Sequence, residues 1–166
     1  MVKILGIDPG SRITGYGVVE FSSGNITHIE HGIISLVSGD MGRRLRDLAD
    51  GLEKVIERTG PVEMAIERVF VGANAQSALK LGQARGVAIL TAARSDMLIS
   101  EYSPNQIKKA VVGRGHANKN QMKFMVRALL SLSESLTSDS ADALAVAICH
   151  CNTSSQKTKI AGALKK

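Results

Sequence analysis

Four carboxylates stand in this sequence where a purely structural role is hard to find. Asp8 closes an apolar run in "ILGIDPGSRITGYGVVE", just before a glycine-rich turn. Glu67 interrupts the apolar stretch "EMAIERVF", and Asp142 lies among small apolar neighbours in "SADALAVAI". Asp139 precedes Asp142 by three residues, so on a helix the two share one face near its N-terminal turn. A carboxylate at the end of a buried strand is costly unless something pairs with it. Each acid taken alone has an ordinary explanation: Asp8 as a turn residue, Glu67 as a partner for Arg68, Asp139 as a helix-start acid stabilised by about 0.3–1 kcal/mol. Taken together, converging acids would repel by several kcal/mol without a counter-charge. Oxygen-only donors select Mg²⁺, with Mn²⁺ as a substitute, over zinc. Two such ions about 4 Å apart can activate a water and clamp a phosphate.

The charge distribution points the same way. The 166-residue chain has a net charge of +6, unevenly placed. From Tyr102 to Ser133 there is no acid, while Lys108, Lys109, Arg114, Lys119, Lys123 and Arg127 all fall there. Six cations without counter-charges suit a polyanion-binding face. A carboxylate cluster loaded with metal beside such a face describes a phosphodiester nuclease. No Ser, Cys or Tyr suggests itself as a nucleophile, and Tyr16 and Tyr102 read as core or interface residues.

The elements that must position these groups are legible from pattern. "KILGID" and "TGYGVVEF" read as strands, and "ITHIEHGIISL" follows the turn "SSGN" as a third. Leu45, Leu48, Leu52, Val55 and Ile56 recur at helical spacing between Met41 and Thr59. "VEMAIERVF" reads as a fourth strand, residues 74–94 as a long helix and "MLISEYS" as a fifth strand. Ser103 and Pro104 start a short helix, the loop "GRGHAN" follows, and two further helices cover 119–132 and 138–151. Three strands joined by short turns form an antiparallel meander, and later strands arriving through helices pair in parallel. The expected architecture is α/β: a mixed five-stranded sheet with helices on both faces. Residues 1–151 form one domain, and the acid-free segment 152–166 reads as a disordered basic tail.

"ILGIDPGSRITGYGVVE", "AIERVFVGANAQSALKLGQARGVAIL" and "ADALAVAICH" closely resemble the RuvC family of bacterial Holliday-junction resolvases, over residues 2–151. The resemblance implies a ribonuclease H-like fold and a homodimer that nicks two strands of like polarity in a four-way DNA junction. It carries the metal-binding quartet onto Asp8, Glu67, Asp139 and Asp142, with two ions per site. It also carries a base-stacking aromatic onto Phe70 and backbone-contacting lysines onto Lys108 and Lys119. Phe70 could equally cap the core, and the lysines could equally be surface residues. Arg68 stands where relatives carry a neutral glutamine, which adds charge beside the site; Arg114 adds to the basic loop. The glycines after Asp8 are expected to let the DNA backbone approach closely. The family implies RuvA and RuvB, the branch-migration proteins, as partners, although no motif marks a contact. The opening stretch also resembles the first phosphate loop of actin, hexokinase and Hsp70-type ATPases, but those need a second related domain. A related nuclease acting on RNA–DNA hybrids and a non-catalytic junction-binding module stay open at this point.

The remaining features set bounds. A chain of this size buries roughly two-thirds of its unfolded surface, and with no tryptophan the core must be aliphatic. There is no long apolar span and no export signal, so a bacterial cytoplasmic location is expected. Cys149 and Cys151 in "ICHC" are poorly spaced for a disulfide, and with His150 they lack a second ligand pair for zinc, so they read as small buried hydrophobes.

Overall fold

A computed structural model of the protein describes residues 1–36, 39–68, 74–113 and 117–163, with side chains described as far as residue 155. Five strands, β1 (Val2–Asp8), β2 (Ile13–Ser22), β3 (Asn25–Ser35), β4 (Glu63–Glu67) and β5 (Leu98–Tyr102), form one sheet in the order β3-β2-β1-β4-β5. β1, β2 and β3 pair antiparallel, whereas β4 joins β1 and β5 joins β4 in parallel. The meander and the two crossovers are those the pattern predicts. Helix α1 (Met41–Thr59) connects β3 to β4, and α2 (Ala75–Arg94) connects β4 to β5. α3 (Pro104–Val112), α4 (Lys119–Leu129) and α5 (Ser138–Ala163) follow.

Local chemistry fixes where the helices begin. The Asp40 carboxylate accepts from the Arg43 backbone N–H at 3.0 Å at the start of α1, and Asn74 accepts from the Ser77 N–H at 3.1 Å at the start of α2. α3 and α4 each open with a reciprocal capping box, Ser103 with Gln106 and Asn118 with Gln121. The predicted Ser103–Pro104 start is therefore present. The left-handed Gly60 at φ 64° ends α1.

Strand alternation divides the core into two layers. Leu5, Ile7, Val18, Met64 and Ile66 pack with Leu48, Leu52 and Val55 of α1 and Ala84 and Ala88 of α2. Ile4, Val19, Ala65 and Tyr102 pack with α3, α4 and α5 on the opposite face. Helix α5 is the central element of this second layer, and Ala143 to Cys151 are buried without a break.

Glycines in β1 and β2 let α5 come this close. A Cβ at Gly6 would stand 2.1 Å from the Ala143 carbonyl oxygen, and one at Gly15 would stand 2.0 Å from that of Asp139. At Gly17 it would meet Leu144 at 2.6 Å. Gly10 serves the turn, where a Cβ would strike the Ile13 carbonyl oxygen at 1.9 Å. The glycines after Asp8 thus receive a helix and close a turn.

Two expectations change. β4 ends at Glu67, short of the strand read from the sequence. The backbone N–H of Arg68 still reaches the Tyr102 carbonyl at 2.8 Å. α5 continues to Ala163, past the helix end at 151 read from the sequence, because no proline or glycine interrupts residues 152–160. Both cysteines are free and buried, as read from sequence, and burial pushes their thiols up to about 11 and about 12. His150 lies between Tyr102 Oη, 2.8 Å from its Nδ1, and the Glu63 carboxylate at its Nε2.

Close packing of α5 predicts a specific stability pattern. Gly15→Ala should cost roughly 1–3 kcal/mol in urea unfolding, the range for overpacking a tight site. Gly82→Ala in α2, with nothing within 4 Å, should be neutral or stabilise by up to about 1 kcal/mol. Equal stability of the two variants would contradict the close approach.

Candidate active site

Parallel pairing of β1 with β4, in register from Ile4↔Glu63 to Ile7↔Ile66, brings Asp8 and Glu67 to the same edge of the sheet as the last residues of neighbouring strands. Alternation from Ile4 and Gly6 aims Asp8 at α5, and alternation from Ala65 does the same for Glu67. Thr137 starts α5 by accepting from the Ser140 N–H at 3.2 Å, so Asp139 falls in the first turn and Asp142 one turn later. Because the Asp139 carbonyl sits over Gly15, both acids of α5 are held at the Asp8 end of the sheet.

A cavity of about 370 Å³ opens there. Asp8, Glu67 and Asp142 line one side, Lys108 of α3 and Lys119 of α4 line another, and Pro104, Ile107, Met122 and Val146 form an apolar wall. Asp139 is outside this lining, but its charge acts on both Asp8 and Asp142. Sequence reasoning missed the apolar wall; the helical spacing of Ile107 with Val111 and Met122 with Val126 was the available signal.

The electrostatics are strained. Asp8 is pushed up to about 7, first by burial and then by Asp142, Glu67 and Asp139, with Lys119 opposing. Burial and Asp142 raise Glu67 against Lys108. Asp142 is raised by burial and by Asp139, while Lys119 and Lys108 pull it down. Four carboxylates face two ammonium groups, so the fully ionised set carries an excess of two negative charges. Its donor oxygens are not drawn to one point. Among the described residues, only His28, His31 and Glu134 place three such donor atoms within 4.8 Å of one another. Repulsion across an uncompensated set accounts for that spread.

Of the other predicted residues, Arg68 falls outside the cavity lining. Arg68 is exposed and turns to Glu101, with Nε 3.9 Å from Oε2, an acid that Arg85 also engages. That pairing offsets the extra charge expected beside the site. Phe70 and Arg114 lie outside the described residues. Among the described residues, Lys108, Lys109, Lys119 and Lys123 enter no ion pair. No helix among the described residues is long and apolar enough to cross a membrane.

Comparison with known proteins gives concordant findings. Residues 4–150 match the family model described as crossover junction endodeoxyribonuclease RuvC. The chain is 49% identical over 158 residues to the protein of that name from Geobacter sulfurreducens, covering 95% of this chain and 96% of the relative. It is 50% identical over 162 residues to that of Shewanella sediminis, covering 98% and 94%. Among solved structures, T. thermophilus RuvC in complex with Holliday junction substrate superposes with a TM-score of 0.88 at 29% identity, over 95% of this chain and 98% of that one. The yeast mitochondrial Holliday junction resolvase Ydc2, at 13% identity and a TM-score of 0.68 over 93% of this chain and 81% of that one, shares the fold. The expected ribonuclease H-like architecture is thus the one observed.

The raised Asp8 fixes the sign of a pH dependence in metal-free protein. The folded state keeps the Asp8 proton to about pH 7, while the unfolded chain releases it near 3.8. Folding therefore takes up a proton in that window, and stability falls as pH rises through it. Asp8→Asn should remove this slope and be more stable than wild type at pH 7.5 by on the order of a few kcal/mol, with little difference at pH 4. Urea unfolding of both proteins in chelator checks this; parallel pH profiles would contradict it.

Proposed function

The chain belongs to the RuvC family of crossover junction endodeoxyribonucleases, and we propose that it resolves four-way DNA junctions in recombination and repair by nicking two strands of like polarity. The observation that carries this reading is the cavity in which Asp8, Glu67 and Asp142 face Lys108 and Lys119. The scissile phosphodiester lies in that cavity.

The donor set fits divalent cations. It offers only carboxylate oxygens, which suit Mg²⁺ and Mn²⁺, and it carries negative charge that burial leaves uncompensated. Asp8, Glu67, Asp139 and Asp142 hold the metal, two ions to a site. When bound, the ions supply Lewis-acid polarisation of the phosphate and neutralise the charge that builds up on it.

This chain's own residues do the rest. Asp8 and Glu67 are fixed ligands because each ends a hydrogen-bonded strand. Asp142 and Asp139 close the set from α5, which the glycine face holds in place. The ammonium groups of Lys108 and Lys119 stabilise the non-bridging oxygens as negative charge grows there. The described cavity lining contains no Ser, Cys, Tyr or His. The reaction is direct hydrolysis by water, with no covalent intermediate. Pro104, Ile107, Met122 and Val146 keep bulk water away from one side.

The remaining roles are spread over the surface. Phe70 stacks on a base beside the cut, worth roughly 1–3 kcal/mol. Arg68, Arg114 and the unpaired lysines of α3 and α4 contact phosphates. Homodimerisation uses α2, which exposes Leu79 and Leu90. RuvA and RuvB are the branch-migration partners, and the bacterial cytoplasm is the location.

A labelled synthetic four-way junction tests this directly. With Mg²⁺, wild type should give paired symmetric nicks, and EDTA should abolish them. Asp8→Asn should bind the junction but not cut it, and Lys119→Ala should cut about 10²-fold more slowly. Unpaired random nicks would contradict the dimer, and cutting in EDTA would contradict the metal role. Preference for an RNA–DNA hybrid would replace the junction substrate, and binding with no nicks from folded wild type would leave only a binding module.

A further inference from the structure

A second group of metal-ligating side chains lies on the edge strand, apart from the carboxylate cavity. His28 and His31 are both on β3 and three residues apart, a spacing that places side chains on opposite faces of a regular strand. The register shifts between Val18 and Val19, which pair with Glu30 and His28, so Ile29 is an extra residue in β3. This bulge turns both imidazoles to the same face, opposite Val19 and Gly17, the face that α5 covers. Glu134, in the segment between α4 and α5, reaches the same spot.

The donor atoms are already gathered. His28 Nε2 lies 2.8 Å from His31 Nδ1, and Glu134 Oε1 lies 3.8 Å from the same Nδ1. All three lie within 4.8 Å of one another. Ligands about 2.0–2.1 Å from a tetrahedral zinc ion stand about 3.4 Å apart. The observed separations of 2.8 and 3.8 Å bracket that value. His31 is largely buried, with 14% of its side chain exposed, whereas Glu134 at 62% leaves the group open on one side. Two imidazoles and one carboxylate, with an open fourth position, suit Zn²⁺ rather than Mg²⁺.

We propose that His28, His31 and Glu134 form a zinc-class metal site that ties the edge strand β3 to the segment leading into α5. Water completes the fourth position. The proton between the two imidazoles moves to the other ring nitrogen of the histidine that carried it, so both bind the metal as neutral imidazoles and no net proton is released. Glu134 is five residues before Asp139, so an occupied site fixes the entry to the helix that carries two of the acidic residues. The site does not depend on the nuclease reading.

Co²⁺ and Zn²⁺ binding to the metal-free full chain provide the test. Co²⁺ in a four-coordinate imidazole site absorbs intensely in the visible, whereas an octahedral carboxylate site absorbs weakly. The expected result is an intense Co²⁺ spectrum at one ion per chain, displaced by Zn²⁺, in wild type and equally in Asp8→Asn. His31→Gln, and Glu134→Gln as an exposed change that spares the fold, should each weaken Zn²⁺ binding at least tenfold, since loss of even an outer partner of a metal ligand costs about 10–100-fold. Zn²⁺ should raise the melting temperature of wild type and Asp8→Asn but not of Glu134→Gln. A spectrum lost in Asp8→Asn, unchanged affinity in Glu134→Gln, or a weak octahedral spectrum in wild type would each overturn the site.

Discussion

The contact between α5 and the glycines of β1 and β2 is the constraint on which the rest of the molecule depends. Gly6, Gly15 and Gly17 leave no side chain between the sheet and the helix, and the helix answers with Ala143 and Ala147 at the closest points. This brings the backbones close enough for short aspartate side chains at 139 and 142 to act at the end of β1. A side chain at any of these glycines would lift the helix and widen the distance from Asp8. Packing and chemistry are thus set by the same residues.

That closeness has an electrostatic cost. The acids are partly buried against one another, Asp8 is held near neutrality, and the two lysines across the cavity offset only part of the charge. A well-packed apolar cluster at the same spot would be more stable. Strain of this kind concentrates at functional sites, because the missing partner arrives with the substrate or a cation. The helices opposite reinforce the arrangement. Capping boxes fix the starts of α3 and α4, so Lys108 and Lys119 are carried by defined elements and not by loops.

Much of this was legible in the sequence because the signals were local. Apolar periodicity marked the strands and helices, and Ser103–Pro104 marked a helix start. The four acids were visible because each interrupts an apolar context. What sequence could not supply was non-local. The reason for Gly15 and Gly17 lies in a helix more than a hundred residues away, and a glycine beside a catalytic acid reads just as well as a loop device. The group of His28 and His31 was equally hidden, since a spacing of three in a strand reads as opposite faces unless the bulge at Ile29 is known. Past residue 151, polar composition suggested disorder, while the absence of a helix breaker let α5 continue to Ala163.

The central claim is that the acids of β1, β4 and α5 form one charge-strained set awaiting a cation. The most direct measurement is Mg²⁺ titration of wild type and Asp8→Asn at neutral pH, following the unfolding midpoint of each. The account predicts a midpoint that rises steadily with Mg²⁺ for wild type, starting below that of Asp8→Asn and closing the gap, while the variant responds weakly. A wild type that starts above the variant and does not respond to Mg²⁺ would contradict it.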